Sequence, residues 1–251
     1  MIPTQLFIPA PYTYTLQAGA KLYFVAGAVL YIGPVIDNHL HKHYLMQLIL
    51  YKGHAYTLKT ASGEFKNEAA ILIDSEVPHQ LQMQEGDIIL LFLDPLHAVA
   101  KQLKQQYLQH EKAVAVALKD LCPEAVEAGA IPGMLENWCS AGNDLELPDT
   151  DKRVQQVLEM VSREPERKYA LADLAGAVHL SESRLAHLFK QETGVAVRHY
   201  LQWQRLLYAF RLLLSQELSF TEAAHAAGFS DSAHFSRTCK LMIGFSPSAY
   251  F

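Results

Sequence analysis

Residues 220–242, FTEAAHAAGFSDSAHFSRTCKLM, decide the fold of the last part of this chain. Together with the Ser before them they form a capping-box sequence, SFTE at residues 219–222, which is typical of a helix start. Small alanines follow, and Gly228 is suited to end the helix. Ser230 or Asp231 can then cap a second short helix. The spacing predicts two short helices joined by a tight turn.

The same pattern occurs earlier, at residues 171–194. Apolar residues recur there at three- and four-residue steps, Ser181 is suited to cap a new helix, and Gly194 is suited to end it. Residues 197–216 carry a long helical pattern between the two copies. The sequence therefore predicts two helix-turn-helix units joined by one long helix, after an opening helix at 154–164.

Two such units in one chain have a physical use. The second helix of each unit can enter the major groove of DNA, with its first residues at base edges and its N–H groups at phosphates. A rigid connecting helix can hold the two recognition helices about one DNA turn apart. Helical periodicity alone fits an all-helical bundle without a nucleic-acid role equally well.

The residues of the second unit favour DNA binding over a plain helical bundle. They include Gly-Phe-Ser at 228–230, Phe-Ser-Arg at 235–237 and Gly-Phe-Ser-Pro-Ser-Ala-Tyr at 244–250. This combination resembles the DNA-binding domain of the AraC family, and the resemblance runs from about residue 153 to residue 250. One departure is Cys239, which stands where the family usually has Phe and is expected to loosen the local packing.

The resemblance implies which residues face DNA. They are Ser183, Arg184, Ala186, His187 and Lys190 in the first unit, and Ser232, Ala233, His234, Ser236 and Arg237 in the second. Arg237 is the strongest candidate, because a guanidinium can form two hydrogen bonds with guanine or phosphate. The alternatives for Arg237 are a surface ion pair with Asp231 or a core contact typical of the family. Ser183 and Ala186 are short, so we expect the first unit to rely more on backbone contacts and DNA shape.

Charge is distributed unevenly along the chain, whose net charge is −5. Residues 1–150 carry nine Lys against 16 acidic residues, whereas residues 151–251 carry 12 basic against ten acidic residues and all of the Arg. Arg is suited to bidentate contact with phosphate and guanine. The C-terminal part is therefore the better candidate for contact with DNA, although its positive charge is modest for such a surface.

The first part of the chain has the composition of a β domain. Short runs rich in β-branched, aromatic and aliphatic residues alternate there with Gly, Pro, Asn and Asp. These runs lie at residues 21–32, 39–51, 54–58, 69–73 and 87–93. Several short strands at this spacing are typical of an antiparallel sandwich or small barrel. The fold class predicted for the whole chain is multidomain α and β, with an all-α C-terminal domain.

One of these runs contains alternating histidines, His39, His41 and His43. In a strand all three would share one face, which Gln47 continues. The cluster resembles the first motif of the cupins, which are β-barrels of the jelly-roll type, and His79 lies where the second motif supplies another histidine. The resemblance implies a cupin-like N-terminal β-barrel.

This cluster has two alternative roles. Three imidazoles, from His41, His43 and His79, could hold Zn, Ni or Fe. Gln47 argues against a metal, because it replaces the usual Glu ligand, and sensor domains of the AraC family commonly keep such residues without one. The other role is to satisfy hydrogen bonds of strands and loops or to line a pocket for an organic effector. Its candidate lining residues are His41, His43, Gln47, His79, Tyr23 and Tyr56.

Domain boundaries follow from changes in composition. Helical spacing replaces the strand pattern after residue 94, and a stretch of Gly, Asn, Asp and Pro follows residue 139. We expect a cupin-like sensor domain at 1–94, a helical segment at 95–139, a linker at 140–151 and the helix-turn-helix domain at 152–251. An apolar stripe in the helical segment is suited to pairing with a second copy, so we expect a homodimer. Packing onto the chain's own barrel is the alternative.

Other features exclude several classes of protein. The longest apolar run, residues 88–93, is far shorter than the roughly 20 residues of a membrane-spanning helix and is better explained as a buried strand. The three Cys have no CxxC spacing, which argues against a disulfide framework or a zinc finger. Residues 1–14 lack a basic start followed by an apolar stretch, so we expect no signal peptide and a cytoplasmic location.

Together these features predict a sequence-specific DNA-binding transcription regulator that responds to a small ligand, and not an enzyme. Its expected partners are a double-stranded DNA operator, an effector molecule, a second copy of the chain and, for an activator, RNA polymerase. No cofactor is expected. The alternative is a metal-binding cupin sensor or enzyme, with a divalent metal at the histidine cluster, fused to a DNA-binding domain.

Overall fold

The structure is a computed structural model, which describes residues 12–15, 20–25, 27–34, 39–50, 53, 55–117, 150–215 and 218–244. The chain groups into two compact units, one rich in β-strands and one helical. No helix among the described residues is long and apolar enough to cross a membrane.

The β-rich unit consists of antiparallel strands in two sheets. The strands are β1 (Tyr12–Thr15), β2 (Lys21–Val25), β3 (Ala28–Pro34), β4 (Met46–Leu50), β5 (Tyr56–Thr60), β6 (Gly63–Lys66), β7 (Ala70–Ile73), β8 (His79–Met83), β9 (Asp87–Leu93) and β10 (Ala113–Ala115). One sheet has the order β1-β2-β3-β9-β4-β7-β10, and the other has the order β6-β5-β8. The predicted β class is confirmed, although the described strands form two open sheets and not a closed barrel.

The centre of the larger sheet is buried. β9 lies between β3 and β4, and every residue from Ile88 to Leu93 is buried. β4 is buried along its whole length. A strand that is covered on both faces needs no alternation of apolar and polar residues. This explains the unbroken apolar run at residues 88–93, and the buried strand predicted there is confirmed.

The strand predicted at residues 39–51 is shorter than expected. β4 begins only at Met46, and the residues before it are not part of a regular strand. His41 instead forms an isolated antiparallel bridge with His79, with backbone N–H···O distances of 3.0 and 2.8 Å. The expectation that His39, His41 and His43 share one strand face is therefore wrong, since these residues do not lie on a continuous strand.

The segment after residue 94 is helical only in part. It forms α1 (Ala98–Leu103), which continues as a π-helix at Lys104–Leu108. The chain then pairs with β7 through β10, so the prediction of helices up to about residue 139 is wrong at Ala113–Ala115. The Lys104 ammonium group binds both carboxylate oxygens of buried Asp74, at 2.9 and 2.8 Å, which ties the π-helix to the residue after β7.

Residues 118–149 lie outside the described part of the chain. They include Leu118 and Leu121 of the predicted dimerisation stripe and nearly all of the predicted linker. The earlier stripe residues Leu103, Tyr107, Leu108 and Val114 are described, and they pack on the core of the larger sheet, as the alternative to dimerisation expects. The homodimer and the domain boundaries in this region therefore stay predictions.

The helical unit begins with an opening helix and continues with two helix-turn-helix units around a long central helix. Its helices are α2 (Lys152–Arg163), α3 (Leu171–Ala177), α4 (Glu182–Thr193), α5 (Val197–Leu214), α6 (Phe220–Ala226) and α7 (Ser232–Ile243). The two predicted units are α3 with α4 and α6 with α7, and α5 is the predicted connecting helix.

The helix ends follow the signals in the sequence. The hydroxyl of Ser219 accepts a hydrogen bond from the N–H of Glu222, whose carboxylate accepts one from the N–H of Ser219 at 2.9 Å. This reciprocal pair is the capping box that the sequence predicts. Gly194 follows α4 in the left-handed conformation, with φ 79°, as expected for a residue that ends a helix.

Candidate nucleic-acid interface and histidine cluster

The first recognition helix, α4, is fixed by its cap and by its buried face. Ser181 precedes it and accepts a hydrogen bond from the N–H of Arg184 at 3.3 Å. The buried face consists of Leu185, Leu188 and Phe189. The five residues expected to face DNA lie outside that buried face. Ser183, Arg184, His187 and Lys190 are exposed, and Ala186 is half-buried.

The turns of the two units contain the same hydrogen bond. In the first unit the N–H of Leu180 donates to the carbonyl oxygen of Ala175, and in the second the N–H of Phe229 donates to that of Ala224. Both distances are 2.9 Å, and both bonds span five residues. This bond occupies one of the carbonyl groups left free at a helix end. The two turns are therefore equivalent in their hydrogen bonding.

The residue before each of these donors has a positive φ. It is His179 in the first turn, with φ 55°, and Gly228 in the second, with φ 79°. An L-residue pays a steric cost in this left-handed region that glycine does not pay. Gly228 therefore signals its turn in the sequence, whereas His179 gives no signal and only the structure shows its role.

The second recognition helix, α7, is capped by Asp231. One of its carboxylate oxygens accepts a hydrogen bond from the N–H of His234 at 2.6 Å, and this bond is the main cause that lowers the pKa of Asp231 below its ordinary value. The His234 ring lies 3.2 Å from the Ser230 hydroxyl through Nδ1 and packs edge-on against Phe229. His234 is thus held against its own turn.

The remaining candidates of this helix differ in exposure. Ala233 and Arg237 are exposed, while Ser232, His234 and Ser236 are half-buried. Arg237 forms no salt bridge within 4.0 Å with a described residue, although its charge is among the causes that lower the pKa of Asp231. The Arg237 side chain is thus exposed and not fixed by a close ion pair.

A cluster of four aromatic rings holds α7 in place. The ring of Phe235 is fully buried, and its centroid lies 4.9 Å from that of Phe220, 5.1 Å from that of Phe229 and 5.8 Å from that of Phe210. These partners come from α6, the turn and α5. We call Phe210, Phe220, Phe229 and Phe235 the phenylalanine cluster. It fixes the position of the second recognition helix on the rest of the unit.

Three histidines meet in the β-rich unit. The ring centroids of His41 and His79 are 4.5 Å apart, those of His43 and His79 are 5.0 Å apart, and those of His41 and His43 are 5.7 Å apart. One ring nitrogen of each lies within 4.8 Å of the other two. We call these three residues the histidine cluster. The Gln47 side-chain amide contacts His43 Nε2 at 2.8 Å.

Burial keeps two of these rings neutral. It lowers the pKa of His43 from 6.5 to about 4 and that of His79 from 6.5 to about 3. The charge of a neighbouring histidine adds to both effects. Both rings are therefore uncharged near neutral pH, as a metal ligand or a hydrogen-bonding pocket residue must be.

The structure brings together only part of the candidate effector pocket. Tyr23, on β2, packs against the core of the larger sheet. Tyr56, on β5, donates its hydroxyl to the carbonyl oxygen of Glu68 and lines a cleft of about 730 Å³ beside β8. None of the three clustered histidines is among the residues lining that cleft. His41, His43, Gln47 and His79 therefore form one group, and the two tyrosines lie outside it.

The geometry of the helical unit defines a class, the proteins with paired helix-turn-helix units. A family model described as a helix-turn-helix domain matches residues 174–251. The arabinose operon regulatory protein of Escherichia coli (strain K12) is 34% identical over 128 residues, which are 51% of this chain and 44% of that protein. The transcriptional activator NphR of Rhodococcus sp is 30% identical over 139 residues, which are 55% of this chain and 40% of that protein. The C-terminal part of the chain is thus similar to transcription regulators of the AraC family.

The matched part of the chain spans less than half of the length of each of these two relatives. A longer likeness exists at the level of the fold. ToxT from Vibrio cholerae superimposes with a TM-score of 0.52 over 89% of this chain and 96% of that chain, at 12% sequence identity. The shared fold thus includes strands as well as helices.

Proposed function

We propose that this protein is a transcription regulator that binds double-stranded DNA through both helix-turn-helix units. The observation that carries the proposal is the equivalence of the two units, with the same turn hydrogen bond and an exposed polar face on the second helix of each. The family match over residues 174–251 supports it, and the matched relatives bear the names of operon regulators and transcriptional activators.

The residues proposed to contact DNA are those on the exposed faces of α4 and α7. Arg184, His187 and Lys190 offer long donors in the first unit, together with the short Ser183 and Ala186. In the second unit Arg237 is the longest donor. The short residues Ser232, Ala233 and Ser236 allow close approach to the groove, and His234 is proposed as a phosphate contact beside them. Arg237 is the candidate for base readout, because guanidinium pairs with guanine in the major groove.

The β-rich unit is proposed to be the regulatory part. Its fold is like that of ToxT, for which a structure with a bound unsaturated fatty acid is known, at a TM-score of 0.50 and 14% identity. We infer that this unit binds a small effector. We also propose that a second copy of the chain pairs through residues 95–139 and that the protein acts in the cytoplasm. RNA polymerase is a further partner if the protein is an activator.

The test is selection of bound fragments from sheared genomic DNA of the source organism. Enriched duplexes are then labelled, and their affinity for the full chain is measured by fluorescence anisotropy. Arg237→Ala should weaken binding by about 1–3 kcal/mol if the side chain reads a base. Arg163→Ala on α2 removes the same charge outside both helix-turn-helix units and should change affinity much less. Failure to enrich any fragment would refute the proposal, and equal effects of the two variants would refute the role of Arg237.

A further inference from the structure

The histidine cluster is not explained by DNA binding. His43 and His79 are almost completely buried, at 2% and 1% exposure, and His41 is half-buried. Imidazoles in such a place usually satisfy neighbouring polar groups. Here each ring does so through Nδ1, but the three rings also lie beside one another, and the group of potential ligand atoms contains no carboxylate or thiol. The arrangement calls for a chemical partner that three imidazoles share.

Backbone contacts orient all three rings in the same way. The Nδ1 atom of His41 lies 2.9 Å from the carbonyl oxygen of His39, that of His43 lies 2.8 Å from Leu45 O, and that of His79 lies 2.8 Å from Val77 O. A carbonyl oxygen only accepts hydrogen bonds, so each Nδ1 carries the proton. In a neutral ring Nε2 then holds a lone pair. The backbone thus presents three Nε2 lone pairs from one cluster.

One of these lone pairs is buried without a partner. His79 Nε2 has no hydrogen-bond partner among the described residues. Buried polar atoms are nearly always paired, and an unpaired one calls for a specific explanation. A bound cation would occupy this lone pair. The second nitrogen of the same ring already donates to Val77 O, which is how proteins commonly orient metal-bound histidines.

We propose that His41, His43 and His79 bind one divalent transition-metal ion through their Nε2 atoms. Three neutral imidazoles suit zinc, copper, nickel, cobalt or iron, whereas magnesium and calcium prefer oxygen ligands. Ligand nitrogens at about 2.0–2.1 Å from a tetrahedral ion lie about 3.3 Å apart. The ring nitrogens of the cluster already lie within 4.8 Å of one another, so binding requires at most a small approach of the rings. The fourth position is then open to water or to a small anionic molecule.

Gln47 controls the access of the ion to His43. Since His43 Nε2 holds a lone pair, the side-chain group that contacts it at 2.8 Å has to be the amide NH₂ of Gln47, with the two ends of the amide exchanged. This hydrogen bond competes with the metal for the same lone pair. Gln47→Ala therefore should strengthen metal binding. The same substitution should weaken it if Gln47 is itself a ligand, which would overturn the competition but not the site.

The test uses the untagged full chain, since a polyhistidine tag would bind the same ions. Chelator-treated protein is titrated with Co²⁺, whose visible absorption reports four- or five-coordination, and Zn²⁺ is then added in competition. The expected result is one equivalent of Co²⁺ with intense visible bands, displaced by Zn²⁺. Saturation without such bands, or no binding above that of the His41→Ala/His79→Ala double variant, would overturn the proposal.

Single variants assign the ligands. His41→Ala and His79→Ala should each weaken binding by at least about 10–100-fold, the loss already known for residues that only orient ligands. His110→Ala removes an exposed histidine outside the cluster and should leave affinity unchanged. Because His79 is buried, its variant is checked by circular dichroism, and the half-buried His41 gives the decisive result if that variant does not fold. Unchanged affinity in His41→Ala would refute the site. The readout is the absorption of the ion, so it does not depend on DNA binding.

Discussion

Replacing Phe235 by Ala removes the central ring of the phenylalanine cluster. That ring is fully buried and contacts three other rings at centroid distances of 4.9 to 5.8 Å. Truncation of a buried Phe to Ala costs about 3–5 kcal/mol. Elements from three parts of the unit meet at this ring, so the cavity cannot collapse easily and the upper half of the range is expected. Since domains are stable by about 5–15 kcal/mol, the loss is a large share of the total.

Urea unfolding followed by tryptophan fluorescence measures this loss. Trp203, on α5, is fully buried in the helical unit, and the other tryptophan, Trp138, is replaced by Phe in the parent so that the signal comes from this unit alone. In this parent, Phe235→Leu should cost less than Phe235→Ala, because it keeps most of the volume but loses the ring pairs. Ala226→Ser, at an exposed position at the end of α6, serves as a control within about 0.5 kcal/mol of the parent.

The DNA affinity of these variants gives a second readout. Below the urea concentration at which the unit unfolds, Phe235→Leu should also weaken binding to the selected fragments, because α7 loses its anchor while every DNA-facing residue is kept. A free energy of unfolding for Phe235→Ala within about 1 kcal/mol of the parent would refute the reasoning, since it would mean that the ring does not hold α7 in place.

Three further predictions concern the turns, the opening cap and the salt dependence of DNA binding. Gly228→Ala should destabilise the helical unit by about 1–2 kcal/mol in thermal unfolding, because the backbone φ of 79° is unfavourable for Ala. The nearest atom to an added Cβ, in Lys168, is 3.9 Å away, so no steric clash adds to this cost. His179→Gly, at φ 55°, should have a small effect of opposite sign. Asp151 has its pKa lowered from 3.8 to about 2, mainly by a hydrogen bond from the Arg153 side chain. Its stabilising effect is complete above pH 3.8 and disappears as the pH falls toward 2, so the difference in melting temperature between the wild type and Asp151→Asn should shrink over that range. Finally, Lys190→Ala should weaken binding to different duplexes uniformly. It should also reduce the magnitude of the slope of log K, the DNA association constant, against log salt concentration by about 1, as expected for one lost phosphate contact. An unchanged slope would argue against a phosphate contact.

The elements that the sequence predicted correctly are those with local chemical signals. Ser219 and Glu222 form a capping box wherever a helix starts with them, and Gly228 tolerates the positive φ that its turn requires. The first turn has the same geometry, but the residue at that place is His179, which carries no such signal. Tertiary packing selects the conformation of His179. The first turn could therefore be predicted only from the helix signals on both sides of it.

Elements that depend on partners far along the chain were predicted less well. Ala113–Ala115 have helical neighbours in the sequence but form β10, because β7 offers a free edge. Only part of the histidine cluster could be predicted from the alternation of residues in the sequence. Alternation suggested His41 and His43, but the structure joins them to His79 through a backbone bridge and leaves His39 out of the group. The orientation of the three rings depends on carbonyl groups whose positions no sequence pattern reveals.

The most direct test of the central claim, that one chain reads DNA through two helix-turn-helix units, is a hydroxyl-radical footprint of the full chain on a fragment selected from genomic DNA. For each bound chain we expect two protected segments on one face of the duplex, about 10 base pairs apart. Lys190→Ala should weaken protection of one segment and Arg237→Ala that of the other. A single protected segment, weakened equally by both substitutions, would contradict the account.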